Sequence, residues 1–249
     1  TGLKSLGLEK DSHIGLISKN CREWIIADLA ISMAGYISVP FFPTLNSKEV
    51  GNLLEFGDVK ALFVGKLENW EEMKKGVSSD MPTIAFPHYK DHSKISTGHQ
   101  WHDFLNKFDP QTENFIPKLK DIWTIIFTSG TTGDPKGVVL SYETLYNTKR
   151  ITENGNPLRV DMKGDNDFIS YMPLNHIFER IVIEHTAFRF GGTLSFVESL
   201  ETFGQNLNDI KPTAFQGVPR IYTKFQEKIL MKMPQKKLSK LLKIPVVSW

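Results

Sequence analysis

Short apolar runs that are rich in β-branched and aromatic residues alternate with segments of helical periodicity along most of this chain. The apolar runs predict strands at residues 13–18, 36–42, 61–64, 83–86, 122–127, 138–140, 168–172, 193–197 and 213–216. The periodic segments predict helices at residues 22–34, 69–75, 101–108, 142–153, 177–190, 203–210 and from Pro219 onward. Because strands that alternate with helices favour parallel sheets covered on both faces, the pattern predicts an α/β fold.

Two helix boundaries carry local signals. Gly35 follows the helix predicted at residues 22–34 and is expected to end it, because glycine readily adopts the left-handed conformation of a C-terminal cap. Ser47 is expected to cap a further helix, since a serine hydroxyl can accept a hydrogen bond from a free amide of the first turn. Apolar residues recur at helical spacing in that segment, at Val50, Leu53, Leu54 and Phe56.

The segment at residues 109–120 has no clear periodicity and contains Pro110 and Pro117. Proline interrupts helices and inner strands, so such a segment is typical of a connection between packed regions. We therefore expect two lobes of mostly parallel sheet covered by helices, a first at residues 1–118 and a second at residues 119–249.

Composition and charge narrow the possible classes of function. The chain has 249 residues, 40% hydrophobic and 23% charged, and is long enough to bury a core. Its 30 basic and 28 acidic residues give a formal net charge of +2, which does not support a nucleic-acid-binding role. Cys21 is the single cysteine of the sequence, so it forms no intramolecular disulfide.

Residues 24–42 are apolar enough to raise the question of a membrane span. Asp28, Gly35 and Pro40 interrupt this stretch, whereas a spanning helix needs about 20 predominantly apolar residues. A buried helix followed by a buried strand is the better interpretation, and we expect a cytoplasmic protein. The lysine-rich segment at residues 224–243 predicts a solvated helix face, with a peripheral contact to an anionic membrane as the alternative.

A glycine-rich segment, TSGTTGDPKG at residues 128–137, follows a run that is apolar on both faces. Ligands of open α/β sheets bind at the carboxyl ends of such strands. Glycines let the backbone approach a ligand, while hydroxyl groups and a lysine suit phosphate oxygens. A polar surface turn is the alternative. The candidate phosphate-binding residues are Thr128, Ser129, Gly130, Thr131, Thr132, Gly133, Pro135, Lys136 and Gly137.

This segment differs from the nucleotide-binding loop of the P-loop NTPases. That loop requires the pattern G-x-x-x-x-G-K-[ST], whereas Lys136 follows Pro135 and precedes Gly137. The sequence also lacks the G-x-G-x-x-G pattern of dinucleotide-binding folds and the G-x-S-x-G pattern of α/β-hydrolases. A P-loop kinase is therefore a distant alternative.

Two further segments carry candidate chemistry. His176 lies in YMPLNHIFER (residues 171–180), at the junction of a predicted strand and helix, where it could orient a carboxylate. The residues alone favour a histidine that is satisfied by the local backbone or that caps the helix. Gly217 lies in PTAFQGVPRIY, which by itself predicts a strand-to-helix turn with Pro219 at the first helical position.

These motifs resemble those of a known family. TSGTTGDPKG is similar to the phosphate-loop signature of the adenylate-forming superfamily, which includes acyl-CoA synthetases, luciferases and adenylation domains. PLNHIFER at residues 173–180 resembles the signature of its long-chain acyl-CoA synthetase branch. Residues 24–43 and 212–222 resemble the helix–strand region of the family and a segment that borders its acyl tunnel.

The resemblance implies part of the large N-terminal domain of these enzymes and a role for each matching position. The loop would bind the β- and γ-phosphates of ATP, and Thr128 would help to hold Mg²⁺. His176 would be catalytic and line the acyl-adenylate site, and Gly217 would border the fatty acid. Glu179 and Arg180 could form a structural pair of the branch.

The function implied is that of a long-chain fatty acid–CoA ligase, which makes acyl-AMP and pyrophosphate from ATP and a fatty acid and then transfers the acyl group to CoA. The alternatives are a fatty-acyl-AMP ligase that acts on a carrier protein and a non-catalytic nucleotide- or acyl-binding module. The YG-x-TE motif of the family does not occur. We therefore expect about half of an enzyme, inactive alone; the sequence predicts no oligomeric state.

Overall fold

A computed structural model describes residues 1–129, 135–153, 160, 164–241 and 243 of the chain. The backbone forms two compact units, Thr1–Ala214 and Phe215–Trp249. The first unit contains two sheets, which confirms the predicted α/β class. Within the described residues, no helix combines the length and apolarity that crossing a membrane requires.

The larger sheet has seven strands among the described residues. They are β1 (His13–Ile17), β2 (Ile37–Phe41), β3 (Val59–Val64), β4 (Thr83–Ala85), β5 (His99–Gln100), β6 (Ile122–Ser129) and β7 (Pro135–Ser141). Their order is β5-β4-β3-β1-β2-β6-β7, and all neighbours are parallel except the antiparallel β6 and β7. The smaller sheet pairs β8 (Asp167–Ser170) with β9 (Thr193–Phe196) in parallel.

Helices connect most of these strands. The described helices are α1 (Arg22–Ala34), α2 (Ser47–Phe56), α3 (Trp70–Met73), α4 (Trp101–Asn106), α5 (Tyr142–Glu153), α6 (Ile177–Glu179), α7 (His185–Phe190), α8 (Phe203–Ile210), α9 (Pro219–Lys232) and α10 (Gln235–Leu241). The segment Arg180–Glu184 between α6 and α7 is π-helical. The predicted bounds of α1, α5 and α8 are confirmed.

Alternating side chains of the larger sheet supply two cores. Ile14 and Leu16 of β1 pack into one apolar cluster with Trp24 of α1, whereas Ile17 packs into the other with residues of α2. Because successive strand residues face opposite sides, this alternation places helices on both faces. Trp24 is fully buried, and burial of a side chain of this size stabilises the fold by about 3 kcal/mol or more.

Some helix ends agree with the sequence and others do not. Gly35 caps α1 with φ +82°, as predicted, and its amide donates to Ile31 and Ser32. The cap of α2 is Asn46 rather than Ser47, since Asn46 and Glu49 exchange side chain–backbone hydrogen bonds of 3.0 Å and 2.8 Å. This reciprocal pair satisfies two free amides, which a serine inside the first turn does not do.

Three other expectations need correction. Residues 213–216 do not form a strand; Thr213 alone bonds to Asp167 at the start of β8. The segment predicted as a helix at residues 177–190 is helical over its whole length, but Arg180–Glu184 within it is π-helical rather than α-helical. The larger sheet includes strands from both sides of residue 118, because β6 pairs with β2. The predicted boundary between two lobes therefore falls inside this sheet, and also inside the first compact unit.

The second unit contains α9 and α10. Pro219 begins α9, where its missing amide proton costs no hydrogen bond. The rings of Phe215, Tyr222 and Phe225 pack against one another, with centroids 5.9 to 6.4 Å apart. This aromatic cluster organises the start of the unit.

Candidate functional site

Thr128 and Lys136 lie opposite each other on the antiparallel strands β6 and β7. Directly opposed residues of a sheet project from the same face, so their side chains are neighbours, and both are exposed. Ser129 ends β6 opposite Pro135. A hydroxyl and a primary amine thus stand together where β6 ends, as a phosphate-binding site requires. The other predicted loop residues lie outside the described residues: Gly130, Thr131, Thr132 and Gly133.

Gly137 serves packing in the described structure. It lies in β7 opposite Phe127, and its φ is outside the left-handed region that we expected the loop glycines to use. A Cβ atom at this position would lie 3.2 Å from Ile125 Cγ2 and from Phe127 Cε1. The missing side chain therefore makes room for two core residues of β6.

His176 caps the N-terminus of α6. Its Nδ1 accepts a hydrogen bond of 3.2 Å from the amide of Phe178, and the ring is exposed. Since Nδ1 is the acceptor, this contact assigns the proton of the neutral ring to Nε2. The capping role favoured by the residues alone is confirmed, and it leaves Nε2–H as a donor for a ligand.

The segment that leads from β8 to His176 is bound to the larger sheet by Asn20, which follows β1. The Asn20 amide donates to Ser170 Oγ at 2.8 Å and to the Met172 carbonyl at 2.6 Å. Its oxygen accepts from the Leu174 amide at 3.0 Å. One side chain therefore connects the carboxyl end of β8 to the carboxyl end of β1.

Glu179 is buried and holds the start of α6 against the smaller sheet. Its Oε1 accepts from the Tyr171 amide at 3.0 Å. Burial raises the pKa of Glu179 to about 7, although hydrogen bonds from Ser170 and from two amides just beyond β8 favour the charged form. The carboxyl therefore changes its charge near neutral pH.

Arg180 is also buried and points to the larger sheet. Its Nη2 lies 2.8 Å and 2.7 Å from the two carboxylate oxygens of Asp28 on α1, and Nη1 donates to Thr124 Oγ1 at 2.8 Å. Thr124 Oγ1 donates in turn to the Ser38 carbonyl at 2.7 Å, where β6 pairs with β2. Its guanidinium carbon lies 4.1 Å from the ring centroid of Trp123. Glu179 and Arg180 thus have separate partners, which corrects the expectation of a pair.

Two more titratable groups surround Arg180. Glu184 is fully buried, and neither carboxyl oxygen has a hydrogen-bond partner among the described residues. Burial raises the pKa of Glu184 well above its ordinary value, and the charge of Asp28 acts in the same direction. Burial lowers the pKa of His185 to about 4, and the Arg180 cation adds to this effect. We therefore assign His185 as neutral at pH 7.

Asp28, Thr124 and Ser38 are parts of the site that the sequence motifs did not predict. Asp28 was the one charge in the apolar stretch at residues 24–42, and Thr124 and Ser38 are polar positions in apolar strands. A polar group in a predicted core needs a partner, and this was the available signal.

Gly217 lies in the second unit, close to the aromatic cluster. A Cβ atom on Gly217 would lie 3.0 Å from Tyr222 Cε2 and 3.3 Å from Phe215 Cε1. The glycine thus accommodates these rings at the turn before α9. Its contact with an acyl chain stays a prediction.

A hydroxyl oxygen is a ligand type that Mg²⁺ accepts, and Thr128 is exposed next to Lys136. In the described ranges, no group of three or more histidine, cysteine, aspartate or glutamate side chains could hold a metal ion. Thr128 is therefore the one predicted ligand that the described structure places.

The chain matches the model of the AMP-binding enzyme family over residues 1–248. It is 32% identical over 243 residues to long chain acyl-CoA synthetase 5 of Arabidopsis thaliana, with 91% of this chain and 36% of that protein covered. It is 30% identical over 242 residues to the long-chain-fatty-acid–CoA ligase ACSBG2 of Xenopus laevis, with 92% of this chain and 32% of that protein covered. The chain therefore spans about a third of the length of these relatives.

The fold is similar to that of solved structures. O-succinylbenzoate coenzyme A synthetase (MenE) from Bacillus subtilis, in complex with AMP, gives a TM-score of 0.69 at 19% identity, with 91% of this chain and 54% of that chain covered. The same enzyme in complex with ATP and magnesium ion gives a TM-score of 0.63, also at 19% identity, with 86% of this chain and 52% of that chain covered. This likeness confirms the expected fold of a mostly parallel sheet with helices.

Proposed function

Because the chain belongs to the AMP-binding enzyme family, we propose that the whole protein is a long-chain fatty acid–CoA ligase. It would form acyl-AMP and pyrophosphate from ATP and a fatty acid, and then transfer the acyl group to CoA with release of AMP. The observation that carries the proposal is the pair of Thr128 and Lys136 at the end of β6, in a chain with long-chain acyl-CoA synthetases as relatives.

Thr128 and Lys136 hold the polyphosphate in this proposal. The Lys136 ammonium neutralises phosphate charge, and the Thr128 hydroxyl donates to a phosphate oxygen or binds Mg²⁺. When bound, magnesium neutralises the charge that develops on the phosphates. Catalysis of phosphoryl and nucleotidyl transfer depends mainly on such positioning and charge neutralisation, so side chains on two paired strands suit the task.

His176 orients the fatty acid in this proposal. Its Nδ1 is occupied by the Phe178 amide, so the ring presents Nε2–H to a ligand carboxylate. A hydrogen bond from a neutral donor leaves the carboxylate charged and nucleophilic, so that it can attack the α-phosphorus of ATP. Release of pyrophosphate then leaves the acyl group on AMP.

The acyl acceptor separates the proposal from its main alternative. A fatty-acyl-AMP ligase shares the first half-reaction but passes the acyl group to a carrier protein. The long-chain acyl-CoA synthetases among the relatives favour CoA. Supplying either CoA or an acyl carrier protein to the whole protein, and measuring AMP release and thioester formation, distinguishes the two.

The proposal is tested with the whole protein, ATP, Mg²⁺ and hexadecanoate, by measuring fatty-acid-dependent pyrophosphate release. Lys136→Ala is expected to lower kcat/KM for ATP by roughly 100-fold, because one transition-state contact is lost. Lys60→Ala, which removes an exposed lysine of β3, is the matched control and should retain activity. Equal activity of the two variants would contradict the role of Lys136. Saturable ATP binding without turnover would favour a non-catalytic nucleotide-binding module.

A cytoplasmic location is also proposed. The lysines of residues 224–243 would lie on solvated helix faces, with contact to an anionic membrane as the alternative. Sedimentation of the protein with vesicles of phosphatidylcholine alone, and of phosphatidylcholine with phosphatidylserine, compares the two. Salt-sensitive binding to the anionic vesicles alone would favour the membrane contact.

A further inference from the structure

We infer that Arg180, held by Asp28 and Thr124, is a positioning residue that sets the place of His176 relative to strand β6. The inference rests on the proposed function, in which β6 carries the phosphate-binding Thr128 and His176 orients the fatty acid. It assigns a role to a buried network that the proposed function does not otherwise use.

The network joins the two parts of the candidate site through short, buried contacts. Arg180 lies four residues after His176, and Thr124 lies four residues before Thr128 on β6. The Arg180–Thr124 hydrogen bond of 2.8 Å therefore connects the segment of one candidate to the strand of the other. Asp28 holds the other terminal nitrogen of the guanidinium, so Arg180 has little freedom to move.

The backbone transmits this position to His176. The His176 carbonyl accepts from the amides of Glu179 at 3.1 Å and of Arg180 at 3.4 Å. Glu179 is bound on its other side to the Tyr171 amide beside the smaller sheet. His176 thus begins a helical turn with one residue anchored to each sheet, and a shift of Arg180 moves the turn that carries the imidazole.

Arginine suits this position better than lysine or an apolar residue. Its planar guanidinium lies 4.1 Å from the ring centroid of Trp123 and 5.6 Å from that of Trp24, while its nitrogens bond in two directions. Buried ion pairs are often replaceable by apolar side chains without loss of stability. The network is therefore better explained by the geometry that it fixes than by stability alone.

The test combines Thr124→Val, which removes the hydroxyl and keeps the shape of the side chain, with His176→Ala in a double-mutant cycle. Pyrophosphate release from the whole protein is measured with hexadecanoate, ATP and Mg²⁺. Thr124→Val should lower kcat by roughly 10- to 100-fold, since a misplacement of about 1 Å can cost this much. In the His176→Ala background the same substitution should have no further effect, because there is no imidazole left to position.

Thr83→Val, a buried threonine substitution in β4, is the matched control and should leave kcat unchanged. Arg180→Lys, which keeps the charge, should share the loss of Thr124→Val. An equal loss from Thr124→Val with and without His176, or no loss at all, would overturn the inference and leave the proposed function standing. Absence of fatty-acid-dependent pyrophosphate release by the unaltered protein would overturn both.

Discussion

Arg180 and Asp28 are 152 positions apart in the sequence, yet Nη2 of the arginine lies 2.8 Å and 2.7 Å from the two oxygens of the carboxylate. Both side chains are almost completely buried, at 0% and 2% exposure. The pair connects helix α1 on the larger sheet to the segment that follows His176. Two charged groups buried this deeply are stable in the folded protein only when they neutralise each other.

Removal of the Asp28 carboxylate should destabilise the protein strongly. Asp28→Ala leaves a buried guanidinium without its counter-charge, at an expected cost of about 3 to 5 kcal/mol in the free energy of unfolding. Urea-induced unfolding measures the change. The double variant Asp28→Leu, Arg180→Met should regain part of the loss, because no charge is then left buried. A double variant less stable than Asp28→Ala would contradict this account.

Glu179 should make stability depend on pH. Its pKa is raised from the ordinary value of 4.5 to about 7, so between these values the folded state keeps a proton that the unfolded state loses. The contribution of Glu179 therefore falls as pH rises from 4.5 to 7, by up to about 3 kcal/mol.

Glu179→Gln removes this dependence, because glutamine does not ionise. The stability of the variant relative to the unaltered protein should rise over the same pH range and become level above it. Urea unfolding between pH 4 and 8 measures both curves, and curves that stay parallel would refute the prediction. His185, with a pKa lowered to about 4, contributes oppositely in both proteins: it destabilises the fold as pH falls from 6.5.

Asn46 should matter more than Ser47 for helix α2. Asn46→Ala removes one side of the reciprocal hydrogen bonds with Glu49 and should cost about 1 kcal/mol. Ser47→Ala loses a contact of 3.2 Å to Glu72 and should cost less. Thermal unfolding of the two variants compares them, and a larger loss for Ser47→Ala would restore the expectation drawn from the sequence.

Gly76 should not tolerate a side chain. A Cβ atom there would lie 1.9 Å from the Ser47 carbonyl oxygen, which belongs to the backbone and cannot move aside easily. Gly76→Ala should therefore cost about 3 kcal/mol or more. Gly204→Ala in α8 is the matched control. A Cβ atom at Gly204 would meet no neighbouring atom within 4 Å, and alanine should stabilise the helix by up to about 1 kcal/mol. Similar unfolding midpoints for the two variants would argue against this packing.

Local sequence patterns predicted the individual helices and strands better than they predicted how these elements pair and pack. The helix at residues 22–34 and its cap at Gly35 follow from periodicity and glycine chemistry, which act over a few residues. The cap of α2 was assigned one residue too late because asparagine and serine are nearly equivalent as caps. The strand expected at residues 213–216 depended on a partner strand, and a short apolar run does not specify one.

The candidate site was predictable where its chemistry is contiguous in sequence. Thr128 and Lys136 were named from the loop motif, and the pairing of β6 with β7 places them side by side. The ion pair of Arg180 and Asp28 depends on how the two sheets pack, which no local pattern encodes. The single charge of Asp28 in an apolar helix required a buried partner but did not identify it.

The π-helical segment Arg180–Glu184 has a consequence for comparing relatives of different length. The amide of His185 bonds to the carbonyl of Arg180, five residues back, so this turn holds one residue more than an α-helical turn. Loss of one residue among positions 181–183 would close the wide turn into a regular helix and leave Arg180 in place. Relatives one residue shorter here should therefore have their alignment gap inside a continuous helix rather than in a loop.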